Sequence, residues 1–355
     1  MSDRAALWIR EAEVVALIDL ADAIAALERA LAAEGRGDVS HLEKTHTSFA
    51  GGDLHALGAV VADGLATGGG LAGTKTWAHT AGGANPLLVL WRASDGRLQA
   101  VIEAFALGQL RTSGISALAT RLLADPGADE LAIVGSGKQA LAQVAAVAAA
   151  RPLRRVRIHS PTAAHREAFA ERIDRELRIP ARAAPSLREC TADAPVVTVV
   201  TRARAPFLES ALLARGAHVN AVGAIAPDRA EIARDVFPRV ALAVADSPSQ
   251  VRRLSREFRE AYGWDAAGAR EGATIGVPVA LSELVAGRAA RPADADLTLF
   301  KAMGMGLSDV ALGAAVLERA RARGVGRPID PPERAAPRLL TTTPAKRHAG
   351  PGGEA

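Results

Sequence analysis

The sequence predicts an α/β protein with a doubly wound parallel sheet in its middle third. Two observations predict it. Short apolar runs, ELAIVG, VRIHS, VVTVVT, HVNAVGA and VALAVAD, recur after Glu130, and Ala-rich or amphipathic helical stretches separate the first three. The first of these runs ends in a glycine-rich turn that opens a helix. Crossovers between parallel strands are right-handed almost without exception, which restricts the topology further. A chain of 355 residues, 49% of them hydrophobic, has material for a large core and for about two domains.

Taken in order, the elements fall as follows. From Val14 to Glu34 the apolar residues Val15, Ile18, Ile24, Leu27 and Leu31 recur at helical spacing, predicting one amphipathic helix. Between Leu54 and Trp91, glycine-rich turns separate apolar runs such as LHALGAVVA and NPLLVLW, which read as strands. Asp95-Gly96 is a turn signal that joins LLVLW to LQAVIEAF as a hairpin. Helical periodicity returns over 107–124 and stops at Asp125-Pro126-Gly127. Beyond the parallel strands, QVRRLSREFREAY predicts an amphipathic helix, and LTLFKAMGMGLSDV leads into a long one. From Pro331 onward no periodicity survives, predicting a disordered tail.

Composition narrows the function classes. Lys plus Arg number 43 against 39 Asp plus Glu, a net charge of +4. The basic residues are scattered, and aromatics are only 3%, so nucleic-acid binding is not expected. The single cysteine, Cys190, excludes an internal disulfide and a multi-cysteine zinc site, and reads as a partly buried inert thiol. No signal-peptide pattern and no run of about 18 apolar residues occurs, so the expectation is a cytoplasmic protein without a membrane span and without a metal.

Gly135-Ser136-Gly137-Lys138-Gln139-Ala140 fits the G-x-G-x-x-G/A fingerprint of a Rossmann dinucleotide site. The first glycine allows a tight turn and the second lets the backbone approach a pyrophosphate. The small third position lets helix and strand pack closely, and the helix N-terminus faces the phosphates. A carboxylate at the end of the second strand would accept the ribose hydroxyls of NAD(H) and repel a 2′-phosphate. Here Ser160 and Thr162 stand there instead, with His159, His165 and Arg166 nearby, which favours NADP(H) and leaves NAD(H) possible.

Outside the fingerprint, GTKTW, LRTSGISALATRLLA, IVGSGKQA, VVTVVT, HVNAVGA and LTLFKAMGMGLSDV follow one another in this order. Together they resemble the ornithine cyclodeaminase/μ-crystallin family, which includes alanine dehydrogenases and cyclic ketimine reductases, over roughly Lys44 to Val316. The resemblance implies a discontinuous α+β substrate and dimerisation domain. It divides the chain into a first part of that domain (1–125), a Rossmann domain (126–296), a C-terminal helix returning to the first domain (297–330) and a tail (331–355). A homodimer acting on a small amino or imino acid is implied as well.

The resemblance also assigns residues. Arg111 matches the arginine that grips the substrate carboxylate, a role suited to the planar guanidinium fork. Lys75 matches the lysine at the substrate, where it would orient the carboxylate or donate a proton to nitrogen. Thr112, with Ser113, is placed at a helix start and contacts a cofactor phosphate. Thr201 and the run Val219, Asn220, Ala221, Val222 and Gly223 fall on cofactor-contact segments at strand ends, although Val219 and Val222 fit a plain core equally well. Ala302 and Met303 fall where nicotinamide and substrate meet.

Three departures from the family pattern shape the functional reading. Ile225 occupies the position of the cyclodeaminase aspartate, and an isoleucine cannot exchange protons; Asp228 stands three residues on. Lys44 stands where many members have a substrate-contacting arginine, which keeps the charge and loses the fork. The segment Trp77-Ala78-His79-Thr80 is unusual, and His79 is either a substrate contact or a surface histidine. The leading expectation is NAD(P)H-dependent reduction of a cyclic imino acid such as Δ1-pyrroline-2-carboxylate. An amino-acid dehydrogenase comes next, then ornithine cyclodeamination, then a non-catalytic NADPH-binding protein.

Overall fold

The computed structural model describes residues 5–62, 65, 70–265, 276–330 and 332–339. The N-terminal part runs β1 (Ala6–Ile9), α1 (Glu11–Leu17), α2 (Leu20–Arg36), β2 (Val39–Phe49), β3 (Gly52–Val61), β4 (Leu71–Thr80), β5 (Gly83–Ala84), β6 (Leu87–Arg92), β7 (Leu98–Glu103) and α3 (Phe105–Leu123). The middle part runs β8 (Glu130–Val134), α4 (Ala140–Ala150), β9 (Arg155–His159), α5 (Ala163–Leu177), β10 (Ala181–Ala183), α6 (Leu187–Thr191), β11 (Val196–Val199), β12 (Ala217–Ala221) and β13 (Val240–Ala245). Then follow α7 (Pro248–Leu254), α8 (Arg256–Tyr262), β14 (Val279–Ala280), α9 (Leu281–Val285), β15 (Leu297–Lys301), α10 (Gly306–Arg323) and β16 (Arg327–Ile329).

The predicted doubly wound sheet is present. Its eight strands lie in the order β10-β9-β8-β11-β12-β15-β13-β14, all parallel, with the order reversing beside β8. Ligands bind outside the carboxyl ends of such strands at the reversal point. The second sheet, also of eight strands, runs β16-β1-β7-β6-β4-β3-β2, with β5 beside β4. It is antiparallel except where β1 meets β7. Helices α2, α3 and α10 share a core with this sheet through Leu27, Leu31, Leu118, Val310 and Leu312.

Several local expectations are corrected. The helix read over 14–34 is two helices, because Asp19 caps α2, its carboxylate accepting from the Asp22 N–H, and the chain turns at Ile18. Val15, assigned to the apolar stripe, is therefore 63% exposed. QVRRLSREFREAY likewise breaks at Ser255, whose hydroxyl caps α8. Thr112 is not at a helix start but in the middle of α3, its hydroxyl donating to the Gly108 carbonyl. The chain leaves the parallel sheet only after Lys301, because β15 lies between β12 and β13, so the boundary at 297 falls one strand early. Strands β1 and β2, and the short strands β10, β14 and β16, have no counterpart in the sequence reading.

The hairpin at Asp95-Gly96 forms as read, with Gly96 at φ +68°. Cys190 is fully rather than partly buried, and burial pushes its thiol up to about 12. Of the tail, residues 332–339 carry no helix or strand, and the remainder of that prediction lies outside the described residues. Among the described residues no helix is long and apolar enough to cross a membrane, and no cluster of His, Cys, Asp or Glu could hold a metal ion.

Candidate active site

A cavity of about 930 Å³ runs along the carboxyl ends of β8, β9 and β11 and continues between the two sheets. Its first half is the glycine turn. Gly135 has φ +116°, and a Cβ there would lie 2.6 Å from the Val200 carbonyl oxygen, so only glycine fits between β8 and β11. A Cβ on Gly137 would meet nothing within 4 Å, because that residue faces the open cavity. Helix α4 begins at Ala140, with Ser136, Lys138 and Gln139 forming the turn that leads into it.

Beside the turn, His159, Ser160, Pro161, Thr162 and His165 line the wall. The Ser160 hydroxyl donates to the Thr162 carbonyl. Arg166 does not reach the cavity: its guanidinium folds back to donate to the Ser160 carbonyl at 3.0 Å. Among the described residues lining the whole cavity there is no Asp or Glu, whereas Lys44, Arg111, Lys138 and Arg202 all contribute cations. This lining fits a polyanionic dinucleotide: backbone open at Gly137, a helix start beside it, and no carboxylate to repel phosphate.

The floor is built from strand-end loops held by a buried carboxylate that sequence reading missed. Glu231 accepts from the Thr201 N–H and hydroxyl at 2.6 and 2.7 Å, and from the Gly223 and Ala224 N–H groups at 2.9 and 3.0 Å. Burial pushes the Glu231 carboxyl upward, while Lys301 and these donors oppose that shift. Glu257 accepts from the Glu231 and Ile232 N–H groups and from Lys301, which also donates to the Ala224 carbonyl. Thr201, Val222, Gly223 and Ile225 are thereby set on the cavity wall.

The rest of the predicted 219–223 segment is not on that wall. Val219 and Ala221 are buried in β12. Asn220 points away from the cavity, its amide donating to Thr120 of α3 at 2.9 Å, with His218 alongside. Burial takes His218 down to about 3, so it is neutral.

The second half of the cavity carries Lys44, Leu57, Trp77, Arg111, Ile225 and Met303, with Ala302 and Gly304 between the halves. Asp246, fully buried, accepts from the Met303 and Gly304 N–H groups at 2.8 Å each and so fixes that loop. Lys44 sits near Arg111 and Asp246, and burial, followed by the charge of Arg111, holds its ammonium below the usual lysine value. Lys75 is only 4% exposed and lies behind the wall, its Nζ 5.3 Å from the centre of the Trp77 ring and paired with Asp309 of α10. Burial lowers it to about 8, with Asp309 opposing and Arg111 and Lys44 adding to the fall.

Asp309 is fully buried and also lies 3.7 Å from the Arg111 Nε. It stands in the first turn of α10, which approaches β3 closely because Gly306 rests against the Gly58 backbone. Beside Trp77 the His55 and His46 rings continue a stack, at 4.8 and 5.7 Å between centroids. His79 is exposed and does not line the cavity, and Asp228 is exposed and paired with Arg204 and Arg229. Asp309 and Asp246 lie within runs that the sequence singled out, LTLFKAMGMGLSDV and VALAVAD, but nothing in those runs, or around Glu231, marked the acids themselves.

Fold and cavity together define an α/β protein of the dinucleotide-binding architecture, with cationic side chains at the far end of the cavity. The model of the ornithine cyclodeaminase/mu-crystallin family matches residues 6–324, and the chain belongs to that family. It is 29% identical over 249 residues, 69% of this chain and 74% of the relative, to a Delta(1)-pyrroline-2-carboxylate reductase of Bacillus cereus. The structure of a probable ornithine cyclodeaminase from Bordetella pertussis superposes with TM-score 0.80 at 30% identity, covering 91% of this chain and all of that one. An archaeal alanine dehydrogenase dimer with bound NAD superposes with TM-score 0.80 at 25% identity, covering 91% and 98%.

Proposed function

We propose that the protein is an oxidoreductase that reduces the C=N bond of a small, cyclic imino acid, of the Δ1-pyrroline-2-carboxylate type, with NADPH. The enzyme class is carried by relatives named as imine reductases and amino-acid dehydrogenases. The observation that carries the finer reading is the lining of the second half: two cations, Lys44 and Arg111, among apolar walls, with no carboxylate facing the cavity among the described residues. Arg111 and Lys44 suit one substrate carboxylate, and Leu57, Trp77, Ile225 and Met303 suit an apolar ring. A distal amine such as that of ornithine would find no counter-ion among the described lining residues, and Ile225, 40% exposed, supplies no proton-transfer group.

When bound, the reduced nicotinamide supplies a hydride to the imine carbon. Arg111 holds the carboxylate, so the carbon is presented in one orientation. The ammonium of Lys75, directly or through a water, gives the proton to nitrogen. The glycine turn would hold the pyrophosphate, and Thr201, Val222, Gly223 and Ala302 would line the nicotinamide. NADPH is favoured over NADH because β9 ends in His159 and is followed by Ser160 rather than an acid, with His165 and Lys138 at hand.

A homodimer joined through the antiparallel sheet accounts for Leu54 and Val60, which share one face of β3 and are 50% and 42% exposed. The test is spectrophotometric. Δ1-Pyrroline-2-carboxylate should oxidise NADPH faster than NADH, by a protein that scatters light as a dimer, and ornithine with catalytic NAD⁺ should yield no proline. Proline from ornithine would overturn the weight placed on Ile225. Turnover of pyruvate with ammonia but of no cyclic imine would replace the reading with an amino-acid dehydrogenase.

A further inference from the structure

A buried acid links the two cations of the substrate end. Asp309 Oδ1 pairs with Lys75 Nζ and lies 3.7 Å from Arg111 Nε, while its Oδ2 and that same Nε are both buried without a hydrogen-bond partner among the described residues. Neither the hydride transfer nor the carboxylate contact of Arg111 uses this side chain directly. Its place is built rather than incidental, because the close approach of Gly306 to Gly58 brings the first turn of α10 down onto β3.

We propose that Asp309 is the positioning residue for the proton donor. It holds Lys75 as an ammonium, and it serves as the anion that Arg111 exchanges for the substrate carboxylate. The inference rests on the imine-reductase reading. The charges around Lys75 show why such a group is required. Arg111 of α3 and Lys44 of β2 both disfavour a second ammonium beside them, and burial disfavours any charge at all. Trp77, with His55 and His46 stacked behind it, offers only a ring face. Asp246, which lies near Lys44 and Arg111, is already engaged by the Met303 and Gly304 N–H groups. Asp309 is thus the carboxylate that faces Lys75 directly.

The step balances without a further reagent. Hydride adds to the imine carbon, the C=N π pair moves to nitrogen, and a new N–H bond forms as an Nζ–H bond of Lys75 breaks. Lys75 is left as the neutral amine beside Asp309 and regains a proton from water once the product has gone. In the resting state Arg111 leans toward Asp309 without a hydrogen bond at Nε, so the guanidinium is available to a planar carboxylate arriving from the cavity.

The test is D309N, which keeps the shape and removes the charge. For imine reduction kcat should fall about 10-fold or more, and the alkaline limb of its pH profile should move to lower pH. KM for the imino acid should stay level or fall, because Arg111 has lost a competing anion; a merely structural role would raise KM and leave the limb in place. D309N should cost nothing further in a K75M background, and an equal cost there would overturn the proposal. Should D309N not fold, lysine ¹⁵N NMR of the wild type decides the matter: Lys75 should be an ammonium at pH 7, and a neutral amine would overturn it. That spectrum needs no substrate, so failure of this inference is distinguishable from failure to reduce any imine.

Discussion

At the dinucleotide end of the cavity much of the wall comes from two short stretches, 134–139 and 159–165, whereas at the substrate end Lys44 of β2 and Arg111 of α3 line it, with the buried pair Lys75 of β4 and Asp309 of α10 behind them. The first end offers N–H groups and open space, and Lys138 stands in water. The second gathers the half-buried Lys44 and Arg111 with the buried Lys75, Asp246 and Asp309, and the charges of Arg111 and Lys44 both act on Lys75. Coulomb interactions strengthen as the surroundings become less polar. Single substitutions should therefore cost most at the substrate end and act on chemistry, while at the dinucleotide end they should cost less and act on cofactor affinity.

Arg111→Ala should show the largest effect. It removes a charge-assisted bidentate contact of about 2–3 kcal/mol, which lowers kcat/KM for the imino acid about 30–150-fold. It also leaves Asp309 and Lys75 as a closed pair. If steady-state kinetics place the loss in NADPH affinity rather than in the imino acid, the two ends are not separable as described.

A buried group outside the cavity gives stability its own pH dependence. His218, near the start of β12, is bonded to Thr298 and Asn220 in the seam between β12 and α3, and its folded value is about 3. The unfolded chain takes up a proton there below about pH 6.5 while the folded protein does not. Stability is therefore lost as pH falls from that value toward 3, by at most about 1.4 kcal/mol per pH unit from this group. Urea unfolding should give about 2 kcal/mol less stability at pH 5 than at pH 7, a difference that His218→Gln removes. An unchanged difference in that variant would show that another group sets the acid limb.

The two ends also differ in how far the sequence disclosed them. The glycine turn is contiguous, and each of its residues has a local backbone reason to be there, so Gly135 and Gly137 could be named with their roles. The strands of the parallel sheet were legible for a similar reason: a fully buried strand is a continuous apolar run. The substrate end depends on contacts between residues far apart in the chain. Arg111 and Lys75 were reached through family resemblance, and Asp309 was not reached at all. An acid in the first turn of a helix is ordinarily a favourable dipole partner, so Asp309 in GLSDV gives no sign of burial. Asn220 went wrong the opposite way: its segment ends at the cavity wall with Val222 and Gly223, but strand alternation turns the Asn220 side chain away from it, toward Thr120. The breaks at Asp19 and Ser255 were visible as capping residues but were overridden by an apolar period that continued across them.

The two glycines of the turn sharpen the comparison from its weaker side. Gly135 is there for the fold. With φ +116° and a Cβ position 2.6 Å from the Val200 oxygen, Gly135→Ala strains the β8–β11 junction and should lower the melting temperature. Gly137 has no such constraint, because an added methyl meets no protein atom within 4 Å. Gly137→Ala should fold and melt as the wild type does. What the methyl does meet is the space into which a pyrophosphate must come, and second glycines of this fingerprint are there to let the backbone approach it. Weakening of NADPH binding by about 10-fold, or 1.4 kcal/mol, is the expected result from fluorescence titration. The kcat of Gly137→Ala at saturating NADPH should stay near that of the wild type, since Arg111, Lys75 and Asp309 are untouched. A large fall in kcat with unchanged NADPH affinity would mean that the turn acts on the chemistry, and the division between a binding end and a chemical end would fail.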